Sequence, residues 1–324
     1  MSCRRLRRHT SSIFVFLLFL LPMYLGILYV LKCGDPIIDS YIVQKMDVGA
    51  PVEKYKTFLA VLVTTSSNHI EKRDAARETW LTYGNSSMFK RFVIGTGSAD
   101  QNEVARLNRE NRGQGDLLLL DNVHDSYSTL SSKVLHMLAW LDKNVDFEYV
   151  LKVDDDSFAR LDVMEKELKQ RSGESLYWGF FHGDAKVPKE GPLEDHDWVL
   201  CDRYVPYALG GGYVLSADLV HYIAANVDSL KLYRSEDVTV GAWLGPLSIK
   251  REHDVRFDTM NHSRGCSNQY LVTHKQSEDE MRKKHQHLQK TGRLCETEYR
   301  KAKSYVYDWT VLPSACCKKK SGII

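Results

Sequence analysis

The feature that most constrains the fold is an alternation of short apolar runs with amphipathic segments, which begins near residue 58. Apolar runs of strand length lie at 58–63, 89–94, 117–120 and 147–153. Segments of helical type lie between them: one at 73–81, a polar one that follows the second run and ends at about residue 112, and one at 130–141. Such alternation is typical of a mostly parallel sheet with helices on both faces. In open sheets of this kind, ligands bind beyond the carboxyl ends of the strands. We therefore predict one α/β domain over residues 56–324, with its ligand site at that edge.

The N-terminal segment predicts a membrane anchor. Residues 13–31 form a charge-free run, and four arginines precede it. A helix of that length spans about 28 Å, close to the hydrocarbon thickness of a bilayer. The basic flank then places the N-terminus in the cytoplasm. A cleaved signal peptide is the alternative, but residues 28–32 (LYVLK) make a poor cleavage site. We predict a cytoplasmic tail at 1–12, an anchor at 13–31, a stem at 32–55 and a lumenal domain at 56–324.

Charge and composition exclude one class of function. The chain is 43% hydrophobic and 27% charged, an ordinary balance for a globular domain. Its net charge is +2, but residues 1–32 hold five basic residues and no acidic ones, so the remainder carries −3. A nucleic-acid-binding protein would show a basic surface instead.

Cysteines and sequons fit a lumenal domain. Five cysteines lie beyond the predicted stem, namely Cys201, Cys266, Cys295, Cys316 and Cys317. In an oxidising compartment disulfides are favoured over zinc, and the odd count leaves one thiol over, with the pairing open. N-glycosylation sequons begin at Asn85 and Asn261.

An acidic triplet predicts a metal site. Asp154, Asp155 and Asp156 directly follow the apolar strand at 147–153. Three adjacent carboxylates repel one another unless a cation or hydrogen-bond donors compensate. Divalent ions such as Mg²⁺ and Mn²⁺ prefer oxygen ligands, commonly one or two carboxylates together with substrate phosphates. The triplet therefore indicates a site for a divalent ion and a phosphate-bearing ligand.

Four ordered motifs resemble those of one enzyme family. They are residues 73–80 (RDAARETW), 152–158 (KVDDDSF), 206–216 (PYALGGGYVLS) and 235–241 (SEDVTVG). Together they resemble the inverting β1,3-galactosyl- and N-acetylglucosaminyltransferases, and the similarity covers about residues 57–275. The resemblance implies a GT-A (Rossmann-like) fold, a UDP-sugar donor, Mn²⁺ and a type II position in the Golgi membrane.

Further stretches are similar to the family members that act on the glycosaminoglycan–protein linkage region. They lie at 177–181 (YWGFF), 264–275 (RGCSNQYLVTHK) and 304–309 (SYVYDW). This closer resemblance implies UDP-galactose as donor and Galβ1,4-xylose on proteoglycan core proteins as acceptor. It also implies complexes with other linkage-region transferases.

The resemblance assigns donor-side roles. Asp156 and His274 would hold the metal, and Asp154 and Asp155 would bind the donor. Further predicted donor ligands are Arg73, Arg77 and Lys133; the first two lie four residues apart, on one face of a helix. Surface ion pairing is the alternative for each of these three cations.

Acceptor-side roles follow from the glycine segment and the 235–241 motif. Asp237 is the predicted general base, with Glu236 as the fallback, because an inverting transfer needs a carboxylate to take the proton of the attacking hydroxyl. Capping of a helix start is the structural alternative. The predicted acceptor contacts are Trp198, Gly211, Gly212 and Tyr213.

Two other interpretations stay open. One keeps the enzyme and changes the sugars, for example transfer of N-acetylglucosamine or acceptance by another glycan. The other is a transferase-like chaperone or glycan-binding protein that has lost its chemistry, which loss of the aspartate triplet or the 235–241 motif would favour; both motifs are present.

Overall fold

The computed structural model describes residues 54–171, 173–191 and 194–324. These belong to one compact unit, Lys54–Ile324. Among the described residues, no helix is long and apolar enough to span a bilayer. The predicted tail, the anchor at 13–31 and nearly all of the predicted stem lie outside the described residues, so these assignments stay predictions.

A seven-stranded sheet forms the centre of the domain. Its strands, numbered in chain order, are β2 (Leu59–Thr64), β3 (Phe89–Gly95), β4 (Leu117–Leu120), β6 (Tyr149–Asp154), β8 (Leu176–His182), β9 (Tyr207–Ser216) and β10 (Lys250–His253). Their spatial order is β10-β8-β9-β6-β2-β3-β4. Only β9 runs antiparallel to its neighbours in this sheet. The predicted mostly parallel sheet is confirmed, and the four predicted strands are β2, β3, β4 and β6.

Short strands and seven helices complete the described part of the chain. The short strands are β1 (Tyr55–Lys56), β5 (Val145–Asp146), β7 (Phe158–Ala159), β11 (Phe257–Asp258), β12 (Gly265–Cys266), β13 (Val272–Thr273) and β14 (Tyr299–Arg300). The helices are α1 (Ile70–Glu78), α2 (Gln101–Gln114), α3 (Leu130–Asn144), α4 (Leu161–Leu168), α5 (Ala217–Ala225), α6 (Glu236–Leu244) and α7 (Glu278–Thr291). The helix predicted at 73–81 is shorter at its end, because Thr79 leaves helical geometry and Trp80–Thr82 form a 3₁₀ turn.

The core lies on both faces of the sheet. Along β2 all six residues are buried. Leu59, Val61 and Val63 pack on one face with Trp80, and Ala60 and Leu62 pack on the other. Successive side chains of a strand point to opposite faces, so a strand covered on both sides is apolar throughout. This explains why β2 shows no polar alternation in the sequence.

The sheet and one smaller sheet position the functional residues. Asp154 ends β6 and pairs with Thr64 of β2, and Gly212 of β9 pairs with Val153 on the other side. In the small sheet β11-β13-β7, Thr273 pairs with Phe158, just beyond the aspartate triplet. The residue after β13 therefore returns to the carboxyl end of β6.

The cysteines follow the expected pattern. Cys266 pairs with Cys295, and Cys316 pairs with Cys317. Among the described residues, Cys201 is the single free cysteine, and it is exposed.

Candidate active site

Two aspartates and a distant histidine form a candidate metal centre. One ligand atom from each of Asp154, Asp156 and His274 lies within 4.8 Å of the others. His274 Nε2 is 2.9 Å from Asp156 Oδ1 and 3.5 Å from Asp154 Oδ2. His274 is 6% exposed; its Nδ1 has no hydrogen-bond partner, and its Nε2 contacts the two carboxylates without the geometry of a hydrogen bond. A buried polar group without partners is costly, and a divalent ion would satisfy this one. The donor set of two carboxylates and one imidazole suits such an ion.

Asp156 is held ionised. Burial acts to raise its pKa, but His274 and Lys275 outweigh burial and keep the pKa of this carboxyl well below its usual range. Its backbone carbonyl also accepts from Gln276 N–H at 2.8 Å. The carboxylate is therefore available as a ligand at any physiological pH.

Gly211 makes room for the histidine. A Cβ at this position would lie 2.5 Å from His274 Nδ1 and 2.6 Å from its Cγ. The Gly211 carbonyl accepts from Ser157 Oγ at 2.7 Å, which ties β9 to the end of the aspartate triplet. The sequence predicted an acceptor contact for Gly211, and the structure gives it this steric role beside the metal centre.

The middle aspartate belongs to a separate network. Asp155 is buried and accepts from Thr65 Oγ1 and Lys72 Nζ at 2.7 and 3.1 Å. His69 Nδ1 lies 2.7 Å from the same carboxylate. These contacts fix the turn onto the start of α1. The predicted donor contact of Asp155 is untested and stays a prediction.

A buried lysine joins the metal centre to α6. Lys152 Nζ donates to Asp154 Oδ1, Gly210 O and Glu236 Oε2 at 2.8, 2.7 and 3.1 Å. Tyr213 is also fully buried, and its hydroxyl donates to Glu236 Oε1. Burial raises the pKa of Glu236 to about 7, and it does so against the opposing pull of Lys152. Tyr213 therefore supports Glu236, and its predicted acceptor contact, which would require the buried side chain to become accessible, stays a prediction.

Asp237 is the more accessible carboxylate at the start of α6. It is half-buried, whereas Glu236 is buried. Its Oδ2 accepts from Gly210 N–H at 3.1 Å, and its Oδ1 accepts from Val238 N–H at 2.9 Å. Burial raises the pKa of Asp237 above its usual value. A partly exposed carboxylate of raised pKa suits proton abstraction, which is in keeping with the predicted role of Asp237; that role stays a prediction.

The three predicted donor-binding cations have protein partners. Arg73 is fully buried and bidentate to Glu110, with donor distances of 2.8 and 2.7 Å. Arg77 binds Asp116 in the same manner, at 2.8 Å for both bonds. Lys133 is 3% exposed and donates to Thr65 O at 2.8 Å.

These partners bear on the predicted roles of the cations. Either arginine could bind the donor only if its ion pair broke. The Arg73 pair joins α1 to α2, and the Arg77–Asp116 pair joins α1 to the turn before β4. The spacing of Arg73 and Arg77 predicted their shared helix face, but it did not predict that α2 covers that face. Their role in donor binding stays a prediction.

The remaining predicted contacts lie in packed surroundings. Trp198 is 3% exposed, between Tyr204 and Tyr233, with ring centroids at 4.9 and 4.8 Å. A Cβ on Gly212 would lie 3.0 Å from Val272 Cγ1, so this glycine serves close packing. Stacking of Trp198 on a sugar would require the ring to become exposed. Both sequon asparagines, Asn85 and Asn261, are exposed.

Two lysines of the site were not predicted. Lys152 carried a signal: a charged residue in a buried strand, two positions before Asp154, must point to the same face as that aspartate. Lys275 carried none, because its contact with Asp156 joins residues 119 positions apart.

Comparison with known proteins identifies the family to which the chain belongs. The profile of the galactosyltransferase family matches residues 71–255, which include the aspartate triplet and the start of α6. The chain therefore belongs to the galactosyltransferase family, and it is an enzyme of that family.

Individual relatives narrow the comparison. The chain is 51% identical over 282 residues to mouse Beta-1,3-galactosyltransferase 6, covering 85% of this chain and 87% of the relative. It is 33% identical to zebrafish UDP-GalNAc:beta-1,3-N-acetylgalactosaminyltransferase 2 over 47% of this chain and 31% of the relative. Among solved structures, a mannosyltransferase from Pyrobaculum calidifontis aligns with 12% identity and a TM-score of 0.37. The alignment covers 67% of this chain and 59% of the mannosyltransferase chain. That likeness is too distant to support an argument.

Proposed function

We propose that the chain is an inverting β1,3-galactosyltransferase with a GT-A fold. It transfers galactose from UDP-galactose to the 3-hydroxyl of Galβ1,4-xylose on proteoglycan core proteins, giving Galβ1,3Galβ1,4Xyl. The proposal rests on family membership, on the extent of the similarity to mouse Beta-1,3-galactosyltransferase 6 and on the site. The observation that carries the chemistry is the pairing of the Asp154–Asp156–His274 centre with Asp237 through Lys152 and Gly210.

Asp237 performs the proton transfer in this proposal. Its carboxylate accepts the proton of the acceptor 3-hydroxyl as that oxygen forms a bond to the anomeric carbon. The bond from that carbon to the diphosphate oxygen breaks on the opposite face, and its electron pair leaves with UDP. One displacement of this kind inverts the α-linked donor to a β-linked product. Gly210 N–H and Val238 N–H fix the orientation of the carboxylate.

The metal centre serves the leaving group. A divalent ion, which we propose is Mn²⁺, would be held by Asp154, Asp156 and His274 and would offset the charge that develops on UDP. Lys152 holds Asp154 in position from below, with its ammonium buried and bonded to three oxygens.

The cellular setting is part of the proposal. Residues 13–31 would anchor the protein in the Golgi membrane as a type II protein, with the described domain in the lumen. There it would act on xylose–galactose-primed core proteins, in complexes with other linkage-region transferases. The Cys266–Cys295 disulfide is in keeping with an oxidising compartment.

A donor-by-acceptor assay tests the function. The purified full-length protein would be incubated with Galβ1,4Xyl-benzyl and, separately, UDP-galactose, UDP-N-acetylgalactosamine or UDP-N-acetylglucosamine. Each reaction would be run with Mn²⁺ and with EDTA. We expect galactose transfer only, and only with Mn²⁺; product NMR should show a β1,3 linkage.

The other outcomes are distinct. Transfer from another UDP-sugar would keep the mechanism and overturn the donor assignment. Transfer to a different acceptor alone would overturn the linkage-region assignment. UDP binding without transfer to any acceptor would favour the chaperone or glycan-binding interpretation.

A further inference from the structure

Lys275 has an unusual backbone conformation. Its φ is 60°, and among the described residues it is the only one other than glycine with a positive φ. Side chains other than those of Asn and Asp rarely occupy this left-handed region, because Cβ approaches the backbone oxygen. Strained residues of this kind concentrate at functional sites, where the surrounding structure holds them. The positive φ of Lys275 therefore indicates a functional role for this turn.

The turn around Lys275 folds onto Asp156. His274 N–H donates to Asp258 O at 3.0 Å, and Gln276 N–H donates to Asp156 O at 2.8 Å. These bonds fix the residues on both sides of Lys275. Its Nζ then lies 3.1 Å from Asp156 Oδ2, while half of its side chain remains exposed. The strained turn thus places one half-exposed ammonium beside the metal centre.

The other lysines of the triplet are more enclosed. Lys152, bound to Asp154, has a 1% exposed side chain, and Lys72, bound to Asp155, has a 28% exposed side chain. Lys275, bound to Asp156, is 50% exposed. Among these three, Lys275 presents the largest part of its side chain to a ligand arriving from solvent.

Charge identifies that ligand. A divalent ion held by Asp154, Asp156 and His274 would share the Asp156 carboxylate with Lys275, whose ammonium lies at Oδ2 and would then face a second cation. One carboxylate does not neutralise both cations, and their repulsion is relieved when a further anion binds beside them. We propose that this anion is the diphosphate of the donor, and that Lys275 binds it directly. The inference rests on the proposed function and adds a donor-binding residue to it.

Three variants of the full-length protein test this inference. Lys275→Asn removes the charge while keeping a residue that tolerates positive φ, and Lys275→Arg keeps the charge. Lys303→Asn is the control, because it removes one charge from an exposed lysine elsewhere. Binding of UDP and of uridine would be measured by titration calorimetry with Mn²⁺ present, beside the thermal midpoint without ligand.

We expect Lys275→Asn to weaken UDP binding by about 10- to 100-fold, the range for loss of a hydrogen bond to a charged group. Uridine binding and the thermal midpoint should not change. The KM for UDP-galactose should rise in parallel, Lys275→Arg should recover part of the affinity, and Lys303→Asn should match the wild type.

UDP affinity of Lys275→Asn within twofold of the wild type would overturn the inference. A lowered thermal midpoint with unchanged UDP affinity would make Lys275 a structural partner of Asp156 and overturn it too. The proposed function is tested separately by the wild type, because UDP binding without galactose transfer would overturn that function while the Lys275 comparison still stands.

Discussion

Two adjacent carboxylates at the start of α6 have different surroundings, and this difference predicts different mutant behaviour. Glu236 is buried between Lys152 and Tyr213, whereas Asp237 is half-buried and oriented by backbone N–H groups. We expect Asp237→Asn to lower kcat by about 10² to 10⁴, the usual contribution of a general base. Its affinity for UDP should be preserved, because the metal centre is intact. Steady-state rates and UDP titration check both quantities.

Matched variants separate the two carboxylates. Asp279→Asn, at a side chain that is 85% exposed, should leave the rate unchanged. Glu236→Gln should lower protein stability, because it leaves Lys152 without one of its charged partners. If Glu236→Gln abolished transfer and Asp237→Asn kept it, the fallback assignment of Glu236 as base would replace ours.

Gly211 gives a second prediction at the scale of one residue. In Gly211→Ala the new Cβ would need the space of the His274 ring, so the imidazole must move away from Asp156. We expect the affinity for Mn²⁺ to fall by about 10- to 100-fold, as for the loss of other groups that orient metal ligands. Mn²⁺ titration followed by electron paramagnetic resonance would measure it.

Gly113→Ala is the control for this variant. Gly113 lies within α2, and a Cβ there meets nothing within 4 Å. That variant should bind Mn²⁺ like the wild type and be slightly more stable, because alanine favours helix. Unchanged Mn²⁺ affinity in Gly211→Ala would contradict the metal centre that we assign.

At the scale of elements, the His253 side chain accepts a backbone hydrogen bond from β8 where the pairing of that strand is irregular. The pairing of β8 with β9 shifts register between Gly179 and Phe181. There Phe181 N–H donates to His253 Nδ1 at 3.0 Å, and His253 Nε2 lies 3.0 Å from Tyr305 O. The ring is therefore neutral, with its proton on Nε2. Burial lowers the pKa of His253 to about 4.

The sign of the resulting pH dependence follows from linkage. Because the unfolded histidine titrates near its ordinary pKa of about 6.5, the stabilisation is present above that pH and is lost as the pH falls towards 4. Over this pH range the free energy of unfolding should fall by roughly 3 kcal/mol, the equivalent of the shift in the His253 pKa. Urea unfolding at pH 7 and pH 4.5 should show the loss.

His253→Asn isolates this effect. Asparagine keeps an acceptor for Phe181 N–H and does not titrate. The variant should be less stable at pH 7, but its stability should change less between the two pH values. An unchanged difference between pH 7 and pH 4.5 would show that other groups cause the acid sensitivity.

At the scale of the whole molecule, orientation in the membrane can be tested by glycosylation. Asn85 and Asn261 are exposed and lie in sequons. A type II protein would present both in the lumen, so we expect N-glycans on the expressed full-length protein. Endoglycosidase treatment should increase its mobility on gels, and Asn85→Gln with Asn261→Gln should remove the shift. An unglycosylated domain that protease digests in intact microsomes would contradict the lumenal assignment.

The sequence by itself determined the local parts of this protein. The period of apolar residues predicted β2, β3, β4 and β6 and the helices α1 to α3, because burial on one or both faces imposes a spacing on each element; it assigned no elements after residue 156. The position of the aspartate triplet after an apolar run predicted a site at the carboxyl end of β6. The family motifs predicted Asp237 and His274 as site residues, and the structure brings His274 to Asp156.

Only the tertiary structure decided which residues meet across the chain. It paired Arg73 with Glu110, enclosed Trp198 among tyrosines and joined Lys152 to Glu236. It also placed Lys275 against Asp156 in a strained turn. These contacts depend on how helices and loops pack on the sheet, and the spacing of residues along the chain carries no record of that packing.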